Sequence, residues 1–114
     1  MNTVKVSVLG YIEDGHWVAH ALEMDVIGVG DDWEGALAEL RENICAQVSF
    51  ARFRGDDSLI FQPAPPRLFQ KFRQIREAEL RDLVSHTQKK SSSNFRSDDL
   101  DIPRNIPENR YASA

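Results

Sequence analysis

The residues able to do chemistry are few and scattered. His16 and His20 stand four apart, Glu23 and Asp25 two apart, and Asp31 and Asp32 are adjacent. Cys45 is the single cysteine, and Arg67, Lys71, Arg73, Arg76 and Arg81 form one basic run. A spacing of four grips zinc on a helix, where both rings share a face. His16 and His20 fall in a strand-like stretch, where four residues span about 13 Å, too far for one ion. A two-metal nuclease needs converging carboxylates. Glu23 and Asp25 would share one strand face, but the first strand supplies no inward acid, and Asp31 and Asp32 suit the start of a helix. Cys45 has no partner for an internal disulfide, which fits a reducing compartment. No nucleophile, metal site or cofactor site assembles from these types and spacings, so no catalytic role is expected. The basic run is the remaining candidate, as a phosphate contact through Lys71, Arg73 and Arg76.

The charge distribution weighs against that contact. The 114 residues carry a net charge of −4, but residues 1–62 hold 4 basic and 11 acidic side chains, a balance of −7. Residues 63–90 hold 7 and 3, a balance of +4, and residues 91–114 hold 3 and 4, a balance of −1. A nucleic-acid-binding domain is ordinarily basic as a whole. An acidic front beside a basic segment points instead to a helix that docks on acidic protein surface. No apolar run approaches the roughly 18 residues that cross a bilayer, and the first residues lack a basic, then apolar, leader. A cytoplasmic protein without membrane contact is expected.

The elements that must position these residues follow from periodicity. Val4, Val6, Val8 and Ile12 alternate with polar residues and read as a strand. Asp14-Gly15 is a two-residue hairpin turn, and it sets Ile12 opposite Trp17, Gly10 opposite Ala19 and Val8 opposite Ala21. A second strand runs from about His16 to Met24, and Val26-Ile27-Gly28-Val29 forms a third. Asp31 with Glu34 fits a capping box. Trp33, Leu37, Leu40, Ile44 and Val48 then recur at helical spacing until Gly55 stops the helix. Leu59-Ile60-Phe61 reads as a short fourth strand. Pro66 opens a second amphipathic helix, with Leu68, Phe69, Phe72, Ile75, Leu80 and Leu83 on its apolar stripe. From Ser85 the chain is polar and low in complexity, which predicts a flexible tail.

One stretch carries a recognisable pattern. Trp17-Val18-Ala19-His20-Ala21-Leu22-Glu23-Met24-Asp25-Val26 runs into Gly30-Asp31-Asp32-Trp33-Glu34-Gly35-Ala36-Leu37 and then Leu40. Together with the Asp-Gly hairpin, this resembles the HicB-like antitoxin family over roughly residues 4–62. The resemblance implies a small β-β-β-α-β domain similar to a partial ribonuclease H fold. It also implies a protein that neutralises a small toxin by covering it. Many members add a helix-turn-helix or ribbon-helix-helix module that binds DNA, whereas this chain has one long helix and a tail there.

The expected protein is therefore α+β: three antiparallel strands, a helix and a short fourth strand within residues 1–62. An amphipathic helix over 63–84 and a polar tail over 85–114 follow. A helix stripe and a second apolar sheet face both need cover. Leu9, Tyr11, Val18, Leu22, Phe69, Phe72 and Ile75 are accordingly the candidate subunit or partner interface, in a homodimer or higher assembly. The second helix meets this need either on its own sheet or on a neighbouring subunit.

Overall fold

The computed structural model describes residues 3–85 and 94–106. The chain is α+β, with strands β1 (Thr3–Glu13), β2 (His16–Ala21) and β3 (Val26–Gly30), helix α1 (Trp33–Arg54), helix α2 (Pro66–Ser85) and strand β4 (Phe95–Pro103). The strands form one antiparallel sheet in the order β3-β2-β1-β4.

Local sequence explains each boundary. Asp14 and Gly15 both adopt positive φ, 53° and 78°, as the tightest hairpin turn requires. The register is the expected one, with Ile12 opposite Trp17, Gly10 opposite Ala19 and Val8 opposite Ala21. Helix α1 is capped by Asp32, whose side chain accepts the Gly35 N–H at 2.7 Å. Asp31, the acid expected in the capping box, instead meets His16 Nδ1 at 3.0 Å. Gly55 closes α1 in the left-handed conformation, φ 62°.

The fourth strand is not where it was expected. Leu59 ends a turn of 3₁₀ helix (Asp57–Leu59), and Ile60 and Phe61 lie in irregular chain. The strand that pairs with β1 is β4, within the segment expected to be a tail. Its register sets Leu100 opposite Val6 and Ile102 opposite Val4. Leu100 and Ile102 alternate with Asp99 and Asp101, so they bury one face while the acids stay on the other. The sheet thus draws on both ends of the chain, and residues 1–62 do not close a unit alone. Residues 86–93 and 107–114, also expected in the tail, lie outside the described residues.

Helix α1 covers one face of the sheet. Val6, Val8, Ala19, Ala21, Trp33, Ala36, Leu40, Ile44, Leu100, Ile102 and Ile106 make this core. The burial of Leu40 and Ile44 contributes about 1.5–3 kcal/mol each. The helix approaches β3 backbone to backbone: a Cβ on Gly28 would stand 2.2 Å from the Leu40 nitrogen and 2.5 Å from the Ala36 carbonyl oxygen. Beyond β1, Trp33 stacks edge-on to Trp17, with ring centres 5.4 Å apart. The Arg96 guanidinium lies over both rings.

Candidate functional site

Helix α2 settles on the opposite face of its own sheet. The linker fixes this arrangement, because the Ala64 N–H donates to the Leu22 carbonyl at 2.8 Å and ties the start of α2 to the end of β2. Leu9 (1% exposed), Leu22 and Ala64 form a second core, against which Tyr11, Leu68, Phe69, Phe72 and Ile75 pack. Val18 is buried as well. Of the seven residues expected at an interface, Leu9, Tyr11, Leu22, Phe69, Phe72 and Ile75 therefore satisfy one another within the chain. Of the two arrangements expected for the second helix, the chain adopts the one on its own sheet, so these six side chains leave no open surface between helix and sheet.

The basic face of α2 meets β4. Lys71 Nζ stands 4.1 Å from the centre of the Phe95 ring. Arg76 Nε donates to Ser97 Oγ at 2.9 Å, its Nη2 lies 3.6 Å from Asp99, and its guanidinium rests on Phe72. Half-exposed ion pairs of this kind contribute about 0–1 kcal/mol, so they orient the helix more than they hold it. Arg73 is exposed and borders a shallow hollow with Asp25, Gln70 and the prolines of the linker. Two of the three candidate phosphate contacts are thus engaged inside the protein, and the third stands apart from them.

The acids proposed for chemistry diverge. β2 ends at Ala21 and residues 22–25 turn, so strand alternation does not carry Glu23 and Asp25 to one face. Glu23 extends the ladder of β1 by accepting the Ser7 N–H at 2.9 Å, on the α1 side. Asp25, in the left-handed region at φ 55°, receives His20 Nε2 at 2.7 Å on the α2 side. Since a carboxylate only accepts, His20 Nε2 carries the proton, and in the neutral ring Nδ1 accepts the Tyr11 hydroxyl at 3.1 Å. Among the described residues no group of three or more His, Cys, Asp or Glu is placed to hold a metal ion.

Burial raises the Tyr11 hydroxyl above the ordinary tyrosine range, and the charges of Glu13 and Asp25 push the same way. The unfolded chain releases this proton near pH 10 while the folded chain retains it, so stability falls as pH rises past that point. Thermal melts at pH 9 and pH 11 are expected to differ less in a Tyr11→Phe variant than in the parent chain. Equal differences would contradict this reading of the site.

Both sheet edges are blunted, largely by α1. On β3, Glu39 accepts the Val29 N–H at 2.7 Å and Asn43 donates to the Ile27 carbonyl at 2.8 Å. On β4, Arg41 donates to the Asp101 carbonyl at 3.1 Å, Asp98 accepts the Asp99 N–H, and Pro103 has no N–H to offer. Strand addition by a partner is therefore obstructed at these positions, and a protein partner must approach a face.

Among the described residues two apolar patches stand open on the α2 side. Helix α2 contacts β4 and β1. The α1 side of β3 is occupied by Gly28 and Gly30, so Ile27 and Val29 project to the α2 side, where both are exposed. At the other patch, Leu80, Leu83 (72% exposed) and Val84 (79% exposed) form an apolar stripe on the last turns of α2. Leu80 and Leu83 were legible as part of the helix stripe, but that they outrun the sheet was not. Among the described residues no helix is long and apolar enough to cross a membrane. Compared with protein-family models, curated proteins and solved structures, the chain matches none of them.

Proposed function

We propose that the chain is a non-enzymatic protein-interaction module of the HicB-like antitoxin kind that works as a homodimer. The observation that carries this reading is the pair of apolar patches that stand exposed among the described residues. These are Leu80, Leu83 and Val84 on the helix end, and Ile27 and Val29 on the half-sheet. A two-fold axis lets the helix end of each copy cover the half-sheet of the other, so one contact satisfies both patches without a foreign protein. Soluble monomers rarely leave such patches bare.

The partner class follows from charge and resemblance together. The first 62 residues carry 11 acidic against 4 basic side chains, a surface that attracts a basic protein. The resemblance implies a small toxin, covered by face-to-face docking. Against a nucleic-acid role stand the engagement of Lys71 and Arg76 with β4 and the acidity of the remaining chain. The reading is tested by the native mass of the chain and of variants in the α2 stripe, as argued in the Discussion.

A further inference from the structure

We infer that the α1 side of the sheet holds a binding site for an anionic amphiphile, with its acyl chain in an apolar groove and its headgroup at Arg52 and Arg104. The groove lies where the start of β1, the second half of α1, the linker and the end of β4 meet, and it encloses about 470 Å³. Small-molecule sites ordinarily run from about 300 to 1,000 Å³. Its walls include Val4, Ile44, Val48, Phe61, Ile102 and Ile106. Phe61 borders the groove as an apolar ring, 71% exposed among the described residues.

The polar groups around the groove select the ligand. Four charged side chains border it: Lys5, Glu23, Arg52 and Arg104. Lys5 pairs with Asp101 at 3.0 Å, and Glu23 is held by the Ser7 N–H. Arg52 donates one Nη2 bond to the Arg104 carbonyl at 2.7 Å, which brings the two residues together at one end. Among the described residues neither guanidinium pairs with a carboxylate. That end of the apolar groove is bordered by two arginines, and their positive charge complements an anion attached to a hydrocarbon chain.

A peptide suits the groove poorly, because each of its amides needs a partner. The adjacent β4 edge offers little: the Asp101 carbonyl is taken by Arg41 and Pro103 has no N–H. A hydrocarbon chain has no amides to satisfy. This inference stands independently of the dimer, which uses the other face of the sheet.

The test is calorimetric titration of the full chain with dodecanoate below its micelle concentration, with dodecyltrimethylammonium as the same chain bearing a cation. Dodecanoate is expected to bind saturably at one site per chain, and the cationic analogue at least about tenfold more weakly. Changing Arg52→Gln with Arg104→Gln is expected to weaken dodecanoate by about tenfold. Phe61→Ser, at an exposed position, is expected to weaken it without moving the melting temperature. Equal affinity for the two amphiphiles overturns the proposal, as does affinity unchanged in the arginine pair variant. The absence of saturable binding overturns it too, including the case in which the chain's own residues 107–114 fill the groove. A change of native mass in Phe61→Ser would assign the groove to a second copy and overturn it equally.

Discussion

Replacing Gly28 by alanine is expected to cost about 3 kcal/mol or more, enough to lower the melting temperature by at least about 12 °C in a chain of this size. The added methyl would meet the Leu40 nitrogen at 2.2 Å, the Ala36 carbonyl oxygen at 2.5 Å and Leu40 Cα at 2.6 Å. All three are backbone atoms, so no rotamer change relieves the clash and the whole helix must lift from β3. Lifting it loosens Leu40 and Ile44 from the core and pulls Glu39 and Asn43 from the β3 edge that they cap. A domain stable by about 5–15 kcal/mol tolerates this badly. Thermal unfolding followed by circular dichroism checks it, with Thr3→Ala, an exposed strand position outside both apolar patches, as the control that should move little. A Gly28→Ala chain melting within about 3 °C of the parent would show that α1 does not sit on β3 as described.

The second large effect concerns assembly. Changing Leu80→Glu together with Leu83→Glu is expected to abolish self-association while leaving the fold intact. Both side chains are exposed within a single chain, so charge there costs the monomer little. In a two-fold dimer each substitution occurs twice. The burial of four leucine side chains contributes roughly 6–12 kcal/mol before the costs of association. Their loss should weaken the dimer by at least about a thousandfold. Sedimentation at micromolar concentration reads the change directly, and an unchanged circular dichroism spectrum with a cooperative melt, at a temperature lowered by the loss of the partner, would show that the fold survives. A double variant that keeps its assembly would place the contact elsewhere.

Much of this architecture is legible in the residues, for reasons that are local. Asp14-Gly15 dictates a two-residue turn and with it the whole β1–β2 register. Gly55 ends α1, and Pro66 starts α2. What escapes a local reading depends on contacts distant in sequence. β4 is hard to see because Arg96, Asp98, Asp99 and Asp101 make it look like solvated chain, and its alternation of Leu100 and Ile102 covers only a few residues. It becomes a strand because Val4 and Val6 on β1 need a neighbour. Leu59, Ile60 and Phe61 show the converse, an apolar run that never pairs. The divergence of Glu23 and Asp25 depends on β2 stopping at Ala21, where no glycine or proline announces the turn.

The candidate surface was half legible. That α2 and the second sheet face both needed cover follows from their apolar patterns alone. That they cover each other depends on the Ala64–Leu22 hydrogen bond, which folds the proline linker back and sets where α2 begins. Once α2 is anchored there, its stripe is longer than the sheet beneath it. The surplus of Leu80, Leu83 and Val84 is exposed, and it is the surface that the proposed dimer would cover.

That surplus is the centre of the account, and the absolute mass of the unmodified chain in solution tests it most directly. Light scattering on the 13.0 kDa chain at micromolar concentration should return twice the chain mass or more. A mass equal to a single chain, holding as concentration is raised, would contradict it.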